Sequence, residues 1–263
     1  MKRKIIIYSI TFGFLYGIIT GLLSAQSLAQ PDFALMTVKT ALFPVPRPER
    51  EFFSGLPSLF IPYFFILMLN GGFLRKDLAR SGVFSFTRYQ NRYVWYFGKS
   101  FIVMLAGILY PILYISGFSG VALIVGSRLD WMDAARLFTA YIVCSAPVFA
   151  LALLSCNFLS IRYGTHIAIV IMMAVIMFFF ISAFLLWNHT SIAAIWLYRL
   201  NPLSGFVAAW RDMPDAGFIQ RGVAKGYNLK LGFIIQLIQS IGLLAAGWRF
   251  IRRMDIFSES EEG

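Results

Sequence analysis

Apolar residues form six long runs, and all charged residues lie outside these runs. Each run has about 20 residues, the length that an α-helix needs to cross ~30 Å of hydrocarbon. An uncharged run of this length predicts a helix, because every backbone N–H and C=O must be paired inside a bilayer. The sequence therefore predicts an all-α, polytopic membrane protein, with a single transmembrane domain over 1–263 and no soluble domain. The six predicted spans are at about 5–23, 52–74, 101–125, 137–159, 167–187 and 231–248.

The composition agrees with a membrane protein. Hydrophobic residues make up 59% of the chain and charged residues 13%, whereas a soluble domain has roughly 25% charged residues. The net charge of +11 would favour a nucleic-acid partner in a soluble protein. Cytoplasmic loops of membrane proteins retain Lys and Arg, so no nucleic-acid partner is predicted here. Cys144 and Cys156 fall in one apolar run and are interpreted as small core residues.

The distribution of basic residues predicts the orientation. With the N-terminus inside, the cytoplasmic segments hold more than half of the 23 Lys and Arg residues and are shorter in total than the outer ones. The first run, preceded by Lys2, Arg3 and Lys4, is longer than the ~7–15 apolar residues of a signal peptide and is read as an uncleaved span. Both termini are therefore predicted to be cytoplasmic, in a multi-pass protein of the plasma membrane.

No Asp, Glu, Lys, Arg or His lies inside a predicted span. Ion-coupled transporters and proton pumps depend on such residues, which are retained although each costs at least ~2.5–3.5 kcal/mol. A transporter without them needs an external source of energy. In the sixth span, Gln236, Gln239 and Ser240 predict a face turned toward other helices.

Three segments outside the spans have distinct patterns. The first outer loop, near 30–52, predicts a short interfacial helix. The cytoplasmic loop at 75–100 is basic and aromatic, with a short helix predicted at about 76–85. The last outer segment, 188–230, contains an apolar stretch interrupted by Asn201 and Pro202, and each half is too short to span a bilayer. It predicts a re-entrant or interfacial helical pair.

Catalytic and cofactor motifs are incomplete. Gly98-Lys99-Ser100 ends like a phosphate-binding loop, but Tyr93 stands where that motif needs glycine, so no nucleotide site is predicted. Gly117-Phe118-Ser119-Gly120 resembles the motif of the rhomboid intramembrane serine proteases, yet the later spans lack the histidine base. No cluster has metal-ligand spacing. The chain is predicted to be neither an enzyme nor the holder of a cofactor or metal.

The order of elements resembles the type 2 permease family of ABC exporters. The resemblance lies in the basic loop RSGVFSFTRYQNRYVWYFGKS leading into the third span and in Asn201-Pro202 before the sixth. The pattern RYQNRYVWYFGK is also similar to permeases of Gram-positive bacteria linked to peptide or bacteriocin export and immunity. The resemblance implies a bacterial permease that moves a peptide or an amphipathic, lipid-like substrate. It further implies a cytosolic ABC ATPase subunit that binds ATP, and a second permease chain in a homo- or heterodimer.

The resemblance also implies that the first cytoplasmic loop couples ATP hydrolysis to transport. Its residues could equally anchor the protein among anionic headgroups of membrane lipid, and the two roles are compatible. Two other functions stay open: an intramembrane serine protease of the rhomboid type, and a structural or sensory membrane subunit that does not transport. The predicted coupling residues are Lys76, Leu78, Arg80, Val83, Phe84, Arg88 and Arg92.

Overall fold

The computed structural model describes residues 2–26, 49–88, 92–127, 131–186, 191–203 and 229–253, and no strand occurs within these ranges. The predicted interfacial helix before residue 49 and the outer hairpin beyond Leu203 lie outside the described residues. The helices are α1 (Lys2–Gln26), α2 (Glu49–Asn70), α3 (Phe73–Arg88), α4 (Arg92–Ile124), α5 (Trp131–Tyr163), α6 (Thr165–Leu186), α7 (Ile192–Leu200) and α8 (Leu229–Arg253).

Five of these helices are long and apolar enough to cross a membrane, judged by length and composition over the described residues. They are α1, α4, α5, α6 and α8. Helices α1, α5 and α8 contain a whole predicted span, and α4 and α6 each contain all but the last residue of one. The second span was predicted at 52–74, but α2 ends at Asn70, and the chain then turns at Gly71 and Gly72 into α3. Helix α2 has 22 residues and is not among the five. The all-α class predicted from the sequence is thus found in the part of the chain that the structure describes, with five helices of the length and composition that a membrane span requires.

Helix α5 is packed against α2, α3, α4, α6 and α8. Its Phe149 stacks on Tyr63 of α2, with ring centroids 4.4 Å apart, and contacts Tyr110 of α4 at 5.2 Å. All three side chains are almost completely buried. Stacked aromatic rings bury large apolar areas and favour defined geometries, so these residues fix the spacing of α2, α4 and α5.

Helices α1 and α4 pack in parallel along a face of small residues. A Cβ atom at Gly17 would overlap the carbonyl oxygen of Tyr114, and one at Gly117 would lie 2.5 Å from the carbonyl oxygen of Phe14. Backbone therefore contacts backbone from both sides, as in membrane helix pairs with small residues four positions apart. The hydroxyl of Thr20 donates to that of Tyr114 at 3.2 Å. The glycines of α1 that face α4 are Gly13, Gly17 and Gly21.

At one end of the bundle lie the N-termini of α1, α4 and α6 and the C-termini of α5 and α8. The α2–α3 corner lies at the same end. The contacts that join these parts include Asn70 with Ser9, Gly72 with Thr165, and Arg92 with Arg252. We call this end of the bundle the basic end. Among the side chains that the structure describes, its Lys and Arg residues are Lys4, Arg75, Lys76, Arg80, Arg92, Lys99, Arg162, Arg249, Arg252 and Arg253. The opposite end has Arg136, Arg199 and Lys230.

Candidate functional site

Two glycines form the corner between α2 and α3. A Cβ atom at Gly71 would lie 2.5 Å from the carbonyl oxygen of Leu67 and 2.7 Å from the sulfur of Cys156, while one at Gly72 would overlap the side chain of Thr165. Neither glycine has a positive φ angle. Glycine is therefore needed here for close approach to α5 and α6, and the corner is held tightly against both helices.

Asn157 of α5 joins the two helices that meet at this corner. Its Oδ1 accepts the backbone N–H of Leu74 at 2.9 Å, and its Nδ2 donates to the carbonyl of Asn70 at 3.0 Å and to that of Leu153 at 2.9 Å. The side chain is completely buried. Helix ends have backbone groups without partners inside the helix, so this single amide satisfies the end of α2 and the start of α3.

Asp77 fixes the first turns of α3 to α4. Its carboxylate accepts the ammonium of Lys99 at 2.6 Å and the indole N–H of Trp95 at 3.0 Å. The ammonium also lies 5.7 Å from the ring centroid of Phe73, within the range of a cation–π contact. Asp77 is only 6% exposed. Because a buried carboxylate is stable only when paired, the ion pair and the indole hydrogen bond determine where α3 lies.

The short α5–α6 connection meets the same region. Gly164 has a φ angle of +88°, and a Cβ atom there would lie 2.5 Å from Nη1 of Arg75. The guanidinium of Arg75 therefore lies against this connection. Glycine is favoured at position 164 by the positive φ angle of its backbone. The first turns of α3 thus contact α4, α5 and the α5–α6 connection.

Helix α3 covers the range predicted for a short cytoplasmic helix and extends it at both ends. Lys76 and Arg80 are exposed, whereas Leu78 is half-buried and packs against the core of the bundle. Arg92 begins α4, so the second part of the predicted loop is the start of a long helix. Val83, Phe84 and Arg88 lie within α3, and their side chains are outside the described part of the structure.

Sequence reasoning did not single out Asp77 and Asn157. The available signal for Asp77 was a lone acid among six cations of the predicted loop. Asn157 was a lone amide in an apolar run, and its partner Leu74 is 83 positions away. Nothing local in the sequence reveals that pairing.

At the opposite end, Asn201 follows the last residue of α7 and is 6% exposed. Its Nδ2 donates to the carbonyl of Phe179 at 2.6 Å and to the hydroxyl of Ser182 at 3.0 Å, both on α6. Its Oδ1 accepts the backbone N–H of Leu203 at 2.9 Å. The break that the sequence places at Asn201 and Pro202 is therefore a turn bound to α6.

The same turn is bound to α8. The side-chain amide of Gln236 donates to the carbonyl of Pro202 at 3.2 Å, and that of Gln239 donates to the carbonyl of Leu200 at 2.5 Å. Both glutamines face other parts of the bundle, as the sequence predicts. A polar side chain in a membrane helix commonly pairs with a neighbouring segment in this way.

In the rhomboid-like motif, the hydroxyl of the serine is bound to the backbone of its own helix. The hydroxyl of Ser119 donates to the carbonyl of Ile115, one turn earlier in α4, at 2.7 Å. His166 lies near the start of α6 at the basic end, whereas Ser119 lies toward the opposite end of α4. His189 is outside the described residues. Within the described ranges, no group of three His, Cys, Asp or Glu side chains could hold a metal ion.

No protein-family model matches this chain. No curated protein and no solved structure is significantly similar to it.

Proposed function

We propose that this chain is the permease subunit of an ATP-driven exporter of the type 2 ABC family, powered by a separate ATPase subunit. The observation that carries the proposal is the attachment of α3. This helix of 16 residues connects α2 to α4 and contacts α5 as well. A force applied to α3 by a partner would reach three membrane helices at once.

The attachment is suited to transmit a movement. Asn157 binds the backbone on both sides of the α2–α3 corner, and Asp77 binds Lys99 and Trp95 of α4. Buried polar contacts of this kind have defined geometries and do not slide continuously, so a displaced α3 would move α4 and α5 with it. This supports α3 as the element through which ATP hydrolysis in a partner acts on the membrane domain.

The exposed side of α3 offers a docking surface. Lys76, Ala79 and Arg80 are exposed and lie within one turn of each other. A helix of this kind can dock in a groove of a cytosolic partner. The partner in this proposal is an ABC ATPase subunit, with a second permease chain, identical or not, completing the exporter. The proposed substrate is a peptide or an amphipathic, lipid-like molecule.

The proposed topology has six membrane spans: the five long apolar helices and, in addition, α2, which is the second span in chain order. It places the basic end in the cytoplasm. Its support is the concentration of Lys and Arg at that end, since cytoplasmic segments retain basic residues. We expect reporter fusions at Gly263 and at Arg47 to be active on opposite sides of the membrane. If both fusions report the same side, the topology is wrong.

The partner is tested by purification in mild detergent. We expect a nucleotide-binding protein to accompany the chain and to stimulate transport in liposomes only when ATP is present. Transport by the isolated chain in liposomes would refute the proposal. A membrane subunit without transport function would keep its phenotype when ATP hydrolysis in the partner is abolished.

A bulky residue on the exposed side of α3 should block docking without disturbing the core. We expect Ala79→Trp to reduce recovery of the ATPase by about tenfold or more, because interface residues that fit poorly cost on the order of 2 kcal/mol. The matched control is Ile192→Trp, which adds the same ring at a position that is 78% exposed on α7 at the other end. Equal recovery from both variants would place the ATPase contact outside α3.

A further inference from the structure

Helices α4 and α8 meet at the basic end and bring arginine and aromatic side chains together. Nη1 of Arg92, the first residue of α4, donates to the carbonyl of Arg252 near the end of α8 at 3.4 Å. One turn further along α4, the hydroxyl of Tyr96 donates to the carbonyl of Leu244 at 2.7 Å. We call this surface the α4–α8 junction; its residues are Arg92, Tyr93, Trp248, Arg249, Arg252 and Arg253.

The α4–α8 junction is held closely. A Cβ atom at Gly247 would lie 2.5 Å from the hydroxyl of Tyr96 and 2.5 Å from the ring of Phe158 on α5. The ring of Tyr93 lies edge-on to that of Trp248, with centroids 5.5 Å apart, and Tyr93 is 51% exposed. Amphipathic rings of this kind are enriched where a membrane helix passes through the headgroup layer.

Positive charge is concentrated on this surface. Arg249, Arg252 and Arg253 are exposed. Arg249 lies three positions before Arg252 and four before Arg253 on α8, spacings at which like charges repel. The negative end of the α8 dipole favours cations in its last turn, but Arg92 comes from another helix and adds to the same surface.

We propose that the α4–α8 junction binds the phosphate headgroup of an anionic membrane lipid. Guanidinium groups pair with phosphate through two parallel hydrogen bonds, and a phosphate here would offset the repulsion among the arginines. Tyr93 and Trp248 are aromatic side chains of the kind enriched at headgroup level, and this favours a lipid as the source of the anion. The inference does not depend on the proposed transport function.

The test uses the purified full-length chain in mild detergent, with phosphatidylglycerol or phosphatidylcholine of identical acyl chains added. Bound lipid is counted by native mass spectrometry. We expect phosphatidylglycerol to bind about 10- to 30-fold more tightly than phosphatidylcholine, because each basic residue near the surface contributes on the order of 1 kcal/mol. Arg92→Gln combined with Arg252→Gln should remove this preference.

The control is Lys76→Gln combined with Arg80→Gln, which removes two exposed charges from α3 at the same end and should keep the preference. Arg249→Gln alone should lower the preference in the same direction, and it covers the case in which the double arginine variant does not fold. The inference is overturned if wild-type protein binds both lipids equally. It is also overturned if the α3 control loses as much preference as the junction variant.

Discussion

Replacing Asp77 with alanine is expected to release α3 from α4 and to lower the free energy of unfolding by about 2–3 kcal/mol. The substitution leaves the Lys99 ammonium and the Trp95 N–H without the carboxylate that both bind. Lys99 is 16% exposed, so water compensates in part and the loss stays below that of a fully buried pair. The measurement is thermal unfolding in detergent, together with the rate of trypsin cleavage at the exposed Arg80.

Two further variants separate the charge from the shape of Asp77. Asp77→Asn keeps an acceptor for one of the two donors and should cost less than alanine. Asp77→Ala combined with Lys99→Ala should recover part of the loss, because no unpaired charge is left behind. If Asp77→Ala unfolds like wild type and α3 stays protected from trypsin, the ion pair does not hold α3 in place.

Replacing Gly17 with valine is expected to separate α1 from α4. The new Cβ atom would overlap the carbonyl oxygen of Tyr114, and since both are backbone-linked, no flexible side chain can move to make room. Overpacking of a close interface costs about 1–3 kcal/mol, and we expect the upper part of this range because the Thr20–Tyr114 hydrogen bond is lost as well. Thermal unfolding and the yield of monodisperse protein measure the effect.

The matched controls are Gly120→Val on α4 and Gly242→Val on α8. A Cβ atom at either position has no neighbour within 4 Å. These variants therefore make the same change from glycine to valine in a helix, but they create no steric overlap with a neighbouring helix. They should behave like wild type. If Gly17→Val is as stable as the controls, the two helices are not held by close backbone contact.

The sequence predicts the helices well because each helix follows from the apolar residues of its own segment. A run of about 20 apolar residues has to pair its own backbone in lipid, whatever its neighbours are. Each of these helices begins before its predicted span: α4 begins at Arg92, nine residues before the third span, because a helix continues through polar residues once its hydrogen bonds are formed. Hydropathy cannot detect these polar first turns.

The contacts at the α2–α3 corner could not be predicted in the same way. Asn157 is separated from Asn70 by 87 positions. The sequence pattern of an amide in an apolar run is the same whether the side chain binds the end of another helix or faces a lumen. Leu78 shows another limit: the sequence places it among the predicted coupling residues but does not reveal that it packs against the protein's own core. Which side of a short helix is covered depends on tertiary packing.

The glycine face of α1 has a consequence for biosynthesis. Thr20 and its partner Tyr114 are 94 positions apart, so α1 is complete long before the chain has produced the helix it packs against. At about 5–20 residues per second, the delay is roughly 5–20 seconds. During that time α1 has to remain in the membrane as a single helix with its backbone groove facing lipid or the insertion machinery. A substitution on this face would therefore act at the moment of docking, after insertion is already complete.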